Sequence, residues 1–202
     1  GNNNEAYFFD GVNDHINVDN EPILNFSDGI TVSLFVEPGV IGDKERFILS
    51  HGSWQNRWKI SITPEKKIRW TVRFTSGQVR DLDSQTEVVQ GKQYHVAATY
   101  NGRFLMLYVN GLLESFVAFD GSINQSPVDL EIAQILPDDA SYNFSGVLDE
   151  IKIYDFALTP DSVAVESGLE ITSVDNASDA RAAGIHIYPN PANDVLIIDL
   201  SE

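Results

Sequence analysis

A chain of 202 residues is long enough for one domain of ordinary size with a short attachment. It is 43% hydrophobic and 21% charged, as soluble globular chains are, and no apolar run approaches the roughly 18 residues a membrane span needs. The absence of cysteine excludes disulfides, iron–sulfur clusters, thiol catalysis and cysteine-ligated zinc. Thirteen Lys and Arg against thirty Asp and Glu give −17, which argues against a nucleic-acid partner. The imbalance is uneven. Residues 1–103 carry 11 basic and 13 acidic side chains (−2), whereas residues 104–202 carry 2 basic ones, Lys152 and Arg181, and 17 acidic ones (−15). An acidic half of this kind is a solvated surface, or a place where carboxylates gather round hard cations. The first residue is Gly1 rather than Met, so the sequence reads as a mature or trimmed form.

From residue 5 to about 155 the period-two pattern of half-buried strands recurs. Strands are predicted at 6–9, 15–18, 30–37, 46–51, 57–63, 67–74, 94–100, 104–109, 112–119, 129–133 and 147–154. In the third, Ile30, Val32, Leu34 and Val36 fall on one face. Asn101-Gly102 and Asn110-Gly111 sit between apolar strands and suit type I′ turns, which need two positive φ angles. Residues 93–119 are therefore expected to form a three-stranded meander. Eleven short strands with turn-sized gaps define an all-β chain, an antiparallel β-sandwich of jelly-roll type. One short helix is expected near the C-terminus, at 160–167, with Thr159 as N-cap, Pro160 in the first turn and Gly168 after it.

Residues 169–184 are small and polar and read as a linker. After it, the segment from Ile185 to Leu200 alternates like the first strand of a new sheet. The predicted organisation is a sandwich at 1–168, a linker at 169–184 and the start of a second unit at 185–202.

Four ordered segments resemble the laminin-G-like, concanavalin A-like lectin/glucanase superfamily. They are Phe8-Phe9-Asp10-Gly11-Val12-Asn13-Asp14-His15-Ile16; the strand at 30–37, with Phe35 where Trp is more usual; Gln93 to Gly102 with Leu107 to Gly111; and Phe144 to Tyr154. The resemblance covers residues 5–167. Tyr188-Pro-Asn-Pro191 followed by an alternating strand resembles the start of the C-terminal sorting domain of the Bacteroidetes type IX secretion system. Two prolines flanking an Asn stiffen the approach to a strand and block helix. That resemblance implies a secreted or outer-membrane surface-attached protein handled by the type IX machinery, and a longer parent chain. Four Asn-x-Ser triplets, at Asn25, Asn124, Asn143 and Asn176, are read as chance in a bacterial context.

Signals for catalysis are poor. Retaining glucanases of this superfamily carry Glu-x-Asp-x-x-Glu on one strand face, and no Glu here has Asp two residues on. His15, His51, His95 and His186 never fall at the i, i+4 spacing of a zinc helix. No phosphate loop and no Gly-x-Ser-x-Gly elbow is present. A non-enzyme is expected.

The resemblance implies a structural Ca²⁺ carried on Asp10, Asn13 and Asp149, with Asp14 nearby, because hard oxygen donors from a turn and a strand suit that ion. The plainer alternative is that Asp10 caps its own turn. In the hairpin at 57–74, one face is apolar and the other carries Arg57, Lys59, Lys67, Arg69 and Arg73. This basic stripe is either a solvated face balanced by carboxylates such as Asp81 and Asp83 or a surface for an anionic glycan. Trp54 and Tyr142 fall in loops, where their rings either stack on sugars or pack against the surface. The function expected is non-catalytic binding of a carbohydrate. A cell-surface protein ligand, or service as an accessory domain of a larger glycan-active enzyme, is the alternative.

Overall fold

The computed structural model describes residues 6–169 and the backbone of two further strands, 184–188 and 197–200. Two antiparallel sheets face one another. The first contains β1 (Tyr7–Asp10), β3 (Ile30–Pro38), β8 (Tyr94–Tyr100), β9 (Phe104–Val109), β10 (Leu112–Ala118) and β12 (Ser145–Tyr154). Its order runs β10-β9-β8-β3-β12, with β1 also paired to β12. The second sheet contains β2 (Ile16–Val18), β4 (Arg46–His51), β5 (Trp58–Ile62), β6 (Lys67–Arg73), β7 (Val79–Glu87) and β11 (Leu130–Ile132), in the order β2-β11-β4-β5-β6-β7. The crossovers between sheets make this a jelly-roll sandwich of concanavalin A type.

The alternation read from the sequence explains the core. Ile30, Val32, Leu34 and Val36 meet Trp58, Ile60, Ile62, Ile68, Trp70 and Val72 across the interior, all of them buried. The Trp58 and Trp70 rings touch at 5.8 Å between centroids. The two halves of the meander turn differently. Asn110 (φ 51) and Gly111 (φ 78) both adopt positive φ, as a type I′ turn requires. At the other turn only Gly102 does. There the Asn101 side chain accepts from the Arg103 and Phe104 N–H groups at 3.1 and 2.8 Å, so an Asx cap replaces the second positive φ.

Strand β7 escapes the sequence pattern because it is the edge of its sheet. Only Leu82 and Ser84 within it are buried, while Asp81, Asp83 and Glu87 stay exposed, as edge strands favour, and Arg80 is half-buried over the Phe119 ring. A single helical turn, α1 (Ser53–Asn56), also went unpredicted, whereas α2 (Pro160–Glu166) lies where it was expected, with the Thr159 hydroxyl accepting from Ser162 N–H at 3.2 Å. Gly146 (φ 141) sits where β12 passes β3; a Cβ there would lie 2.2 Å from the Glu37 carbonyl.

The strand Gly184–Tyr188 (β13) runs antiparallel to β12, with Lys152 opposite His186, and Ile197–Leu200 (β14) pairs with it in turn. Both strands thus continue the first sheet. The rest of the expected linker and the prolines of the 188–191 motif lie outside the described residues.

Candidate functional site

The turn at 10–14 caps itself. Asp10 Oδ1 accepts from the N–H groups of Val12 (2.7 Å), Asn13 (3.2 Å) and Asp14 (3.4 Å), and Asp14 Oδ2 accepts from Asp10 N–H at 3.0 Å. These bonds, led by that from Val12, hold the exposed Asp10 carboxyl below its usual pKa. Asp149 Oδ1 accepts from Glu150 N–H at 2.8 Å, within a bulge where Glu150 takes φ 50. Asp10 pairs with Ser145, four residues before Asp149 on β12, a separation of about 13 Å along the strand. The structure therefore does not bring Asp10, Asn13, Asp14 and Asp149 together, and the Ca²⁺ quartet implied by resemblance does not fit this geometry. Among the described residues no group of three or more Asp, Glu or His side chains is arranged to hold a metal.

The basic stripe lies on the outer face of β5 and β6, but most of its charges are already engaged. Arg57 differs most from expectation: it is fully buried, not on the solvent face. Its guanidinium donates to the carbonyls of Asn124 (2.7 Å) and Phe26 (2.5 Å), and burial lowers its pKa to about 10, so it stays charged. Lys59 is buried over the Phe47 ring and bonds Glu45 at 2.5 Å. Arg69 forks onto Asp83 at 2.6 and 2.7 Å, which raises the guanidinium pKa further. Lys67 lies 3.5 Å from Glu87. Of the five, only the half-buried Arg73 lacks a carboxylate partner among the described residues.

Arg57 has a different use, which the sequence pattern hid. It underpins α1, the turn that carries Trp54. Gly52 (φ 71) and Ser53 (φ 56) bend the chain out of β4, and a Cβ at Gly52 would meet Asn56 Cβ at 2.6 Å and Ser126 Oγ at 2.7 Å. Ser53 N–H donates to Ser50 Oγ at 3.0 Å, Asn56 N–H to the Gly52 carbonyl at 2.9 Å, and Asn124 Nδ2 to the Asn56 carbonyl at 2.8 Å. A positive φ at a serine costs about 1–3 kcal/mol and persists only where the surroundings over-determine it. The result is a tryptophan ring 49% exposed on a rigid step, while Trp58 and Trp70 are buried. Behind it, His51 is buried with Nε2 3.1 Å from Asn20 Oδ1; desolvation, helped by the Arg57 charge, lowers its pKa to about 3. Tyr142 does not join Trp54. Its ring packs on Phe47, 5.9 Å away, at the other end of β4, a strand about 20 Å long.

A serine, a histidine and a glutamate also meet beneath α2. Ser33 Oγ donates to Glu166 Oε2 at 2.7 Å and lies 3.0 Å from His95 Nε2; Tyr154 also bonds Glu166. This is not a nucleophile relay, because the serine proton goes to the acid and His95 Nδ1 is buried without a hydrogen-bond partner. Desolvation lowers the His95 pKa to about 4. The trio ties α2 to the outer face of the first sheet.

Two facing antiparallel sheets with crossovers between them define the class as an all-β jelly-roll sandwich. Residues 10–164 match the Laminin G 3 model of the concanavalin A-like lectin/glucanases superfamily, and the chain belongs to that family. No curated protein sequence matches the chain. Among solved structures, it resembles the binding domain of Paraclostridial mosquitocidal protein 1 (TM-score 0.62, 18% identity, 80% of this chain and 45% of that one). It also resembles the receptor binding domain of botulinum neurotoxin D (0.65, 16%, 81% and 43%) and the serotype D ligand binding domain in complex with N-acetylneuraminic acid (0.65, 16%, 81% and 42%). The chain spans less than half the length of these structures, and at such identities the likeness is one of fold. Among the described residues no helix is long and apolar enough to cross a membrane.

Proposed function

We propose that this protein is a non-catalytic carbohydrate-binding module, secreted or attached to the outer surface, with Trp54 as the platform on which a neutral sugar ring stacks. The observation that carries this reading is the Trp54 step: an exposed indole presented by a turn that buried Arg57, Gly52 and Asn124 hold rigid. Pre-organisation of this kind lowers the ordering cost of binding, and an aromatic face suits the C–H side of a sugar. The superfamily is one of lectins and glucanases, and a structure of similar fold is described with a bound sugar acid. The Tyr188-Pro-Asn-Pro191 motif supports export through a type IX machinery.

Calorimetry against panels of neutral oligosaccharides tests the reading. Trp54→Ala is expected to abolish binding with little change in melting temperature, since the ring is half exposed. Undiminished binding by Trp54→Ala would overturn the platform. A protein ligand is the second reading, favoured by the exposed Leu112, Leu113 and Phe116 on β10. It prevails if no saccharide binds the wild type and a cell-surface protein does so through that strand.

A further inference from the structure

At the end of the sandwich away from Trp54, three loops wall a groove of about 260 Å³ lined by Ile41, Lys66, Glu87, Val88, Val89 and Gln90. Its walls are fixed by backbone bonds. Lys66 N–H donates to the Thr63 carbonyl at 2.9 Å, Val88 N–H to the Lys66 carbonyl at 2.8 Å, and Gly91 N–H to the Pro38 carbonyl at 2.8 Å. Val89 N–H is held by the Tyr94 hydroxyl at 3.0 Å, which leaves its side chain 58% exposed at the rim. Lys66 itself takes φ 63, a conformation a lysine adopts only under constraint.

The charges in the loops round this groove are balanced, like residues 1–103 as a whole and unlike the acidic second half of the chain. Lys44, Lys66, Lys67 and Lys92 stand among Asp43, Glu45, Glu65 and Glu87, a local balance within a chain at −17. Two of the acids are occupied, Glu45 by Lys59 and Glu87 by Lys67. Among the described residues no carboxylate lies within ion-pair reach of Lys44, Lys66 or Lys92. Lys66 thus stands without a carboxylate partner beside a concave lining of mixed polarity, while the Lys92 ammonium lies over the Tyr94 ring, 5.2 Å from its centroid.

We propose that this groove is a second saccharide subsite, taking a sugar that carries one carboxylate, such as a uronic acid. The C–H face of the ring lies against Ile41 and the exposed Val89, with Val88 buried beneath them, Gln90 meets hydroxyls, and the Lys66 ammonium receives the carboxylate. The volume fits one to two sugar rings. The Lys66 ammonium is a compact point charge that can receive a single carboxylate oxygen without the geometric demand of an arginine fork. This inference rests on the carbohydrate reading above, but on none of the residues of the Trp54 step.

The test uses a uronate disaccharide, about 10 Å long and too short to reach Trp54 across the sandwich, beside its carboxyl-reduced neutral counterpart. Calorimetry and amide shifts are recorded on the whole chain and on Lys66→Asn, Lys66→Arg and Trp54→Ala. Asparagine tolerates positive φ, so the first variant removes charge without removing the turn. The uronate is expected to bind wild type, Lys66→Arg and Trp54→Ala alike, with shifts at residues 41, 66 and 88–90. Lys66→Asn should weaken it about tenfold, the scale of one charged hydrogen bond, and should not change binding of the neutral counterpart. Equal uronate affinity in wild type and Lys66→Asn, or shifts confined to other residues, would overturn the subsite. If neutral sugars bind at Trp54 and the uronate does not bind at all, the groove fails while the lectin reading stands. If neither binds, both fail.

Discussion

Two histidines set how this fold responds to acid. His51 and His95 are both buried and held neutral by desolvation, with pKa values of about 3 and about 4 against an ordinary 6.5. Above pH 6.5 neither group distinguishes folded from unfolded chains. As the pH falls through 6.5 the unfolded imidazoles take up protons and the folded ones do not, so stability drains away until the folded values are reached. At pH 5 each histidine costs about 2 kcal/mol, or about 4 kcal/mol together. For a domain of this size that is a fall of about 8–16 °C in melting temperature. Glu131 works in the opposite sense: burial raises its carboxyl pKa, so protonation on the acid side favours the folded chain and offsets part of the loss. The exposed Asp10 adds its loss only below its ordinary 3.8, outside the interval. Denaturant titrations at pH 7 and pH 5, on wild type and on the double variant His51→Gln, His95→Gln, provide the assay. The variant, although less stable at pH 7, should lose much less between the two pH values. Equal losses in both proteins would refute the assignment.

Other predictions follow from the same structure. Arg57→Ala leaves the Asn124 and Phe26 carbonyls buried without a donor, and should destabilise the fold by about 3 kcal/mol. By loosening α1 it should also weaken neutral-sugar binding at Trp54, a coupling that calorimetry on a panel ligand would read. Melting in EDTA and in millimolar Ca²⁺ should give the same midpoint within about a degree, since the four expected donors do not converge; a bound ion at a hundredfold excess over Kd would add about 2.7 kcal/mol. A clear rise with Ca²⁺ that Asp149→Ala removes would reinstate that site.

The sequence alone determined the sandwich, because its strands announce themselves by local chemistry. Alternation in Ile30 to Val36 and in Trp58 to Val72 names the core face, and Asn110-Gly111 names a turn, without knowledge of what packs where. Strand β7 was not legible, since an edge strand buries little and so lacks an apolar rhythm. The candidate sites were legible only as residue types. Alternation placed Arg57 beside Lys59 and Arg69 on an outer face, but loops 22–28 and 120–126 fold over it and supply carbonyls in place of water. Asp10 and Asp149 are hard oxygen donors on paired strands, yet the register β1 takes on β12 sets them about 13 Å apart. Trp54 was a loop aromatic of undecided fate until the positive φ of Gly52 and Ser53 turned its ring outward. The groove at Lys66 joins residues 41, 66 and 88–90, which only tertiary contact brings together. Periodicity fixes which face a side chain takes, whereas burial, register and pairing depend on chain segments distant in sequence, and those the fold alone decides.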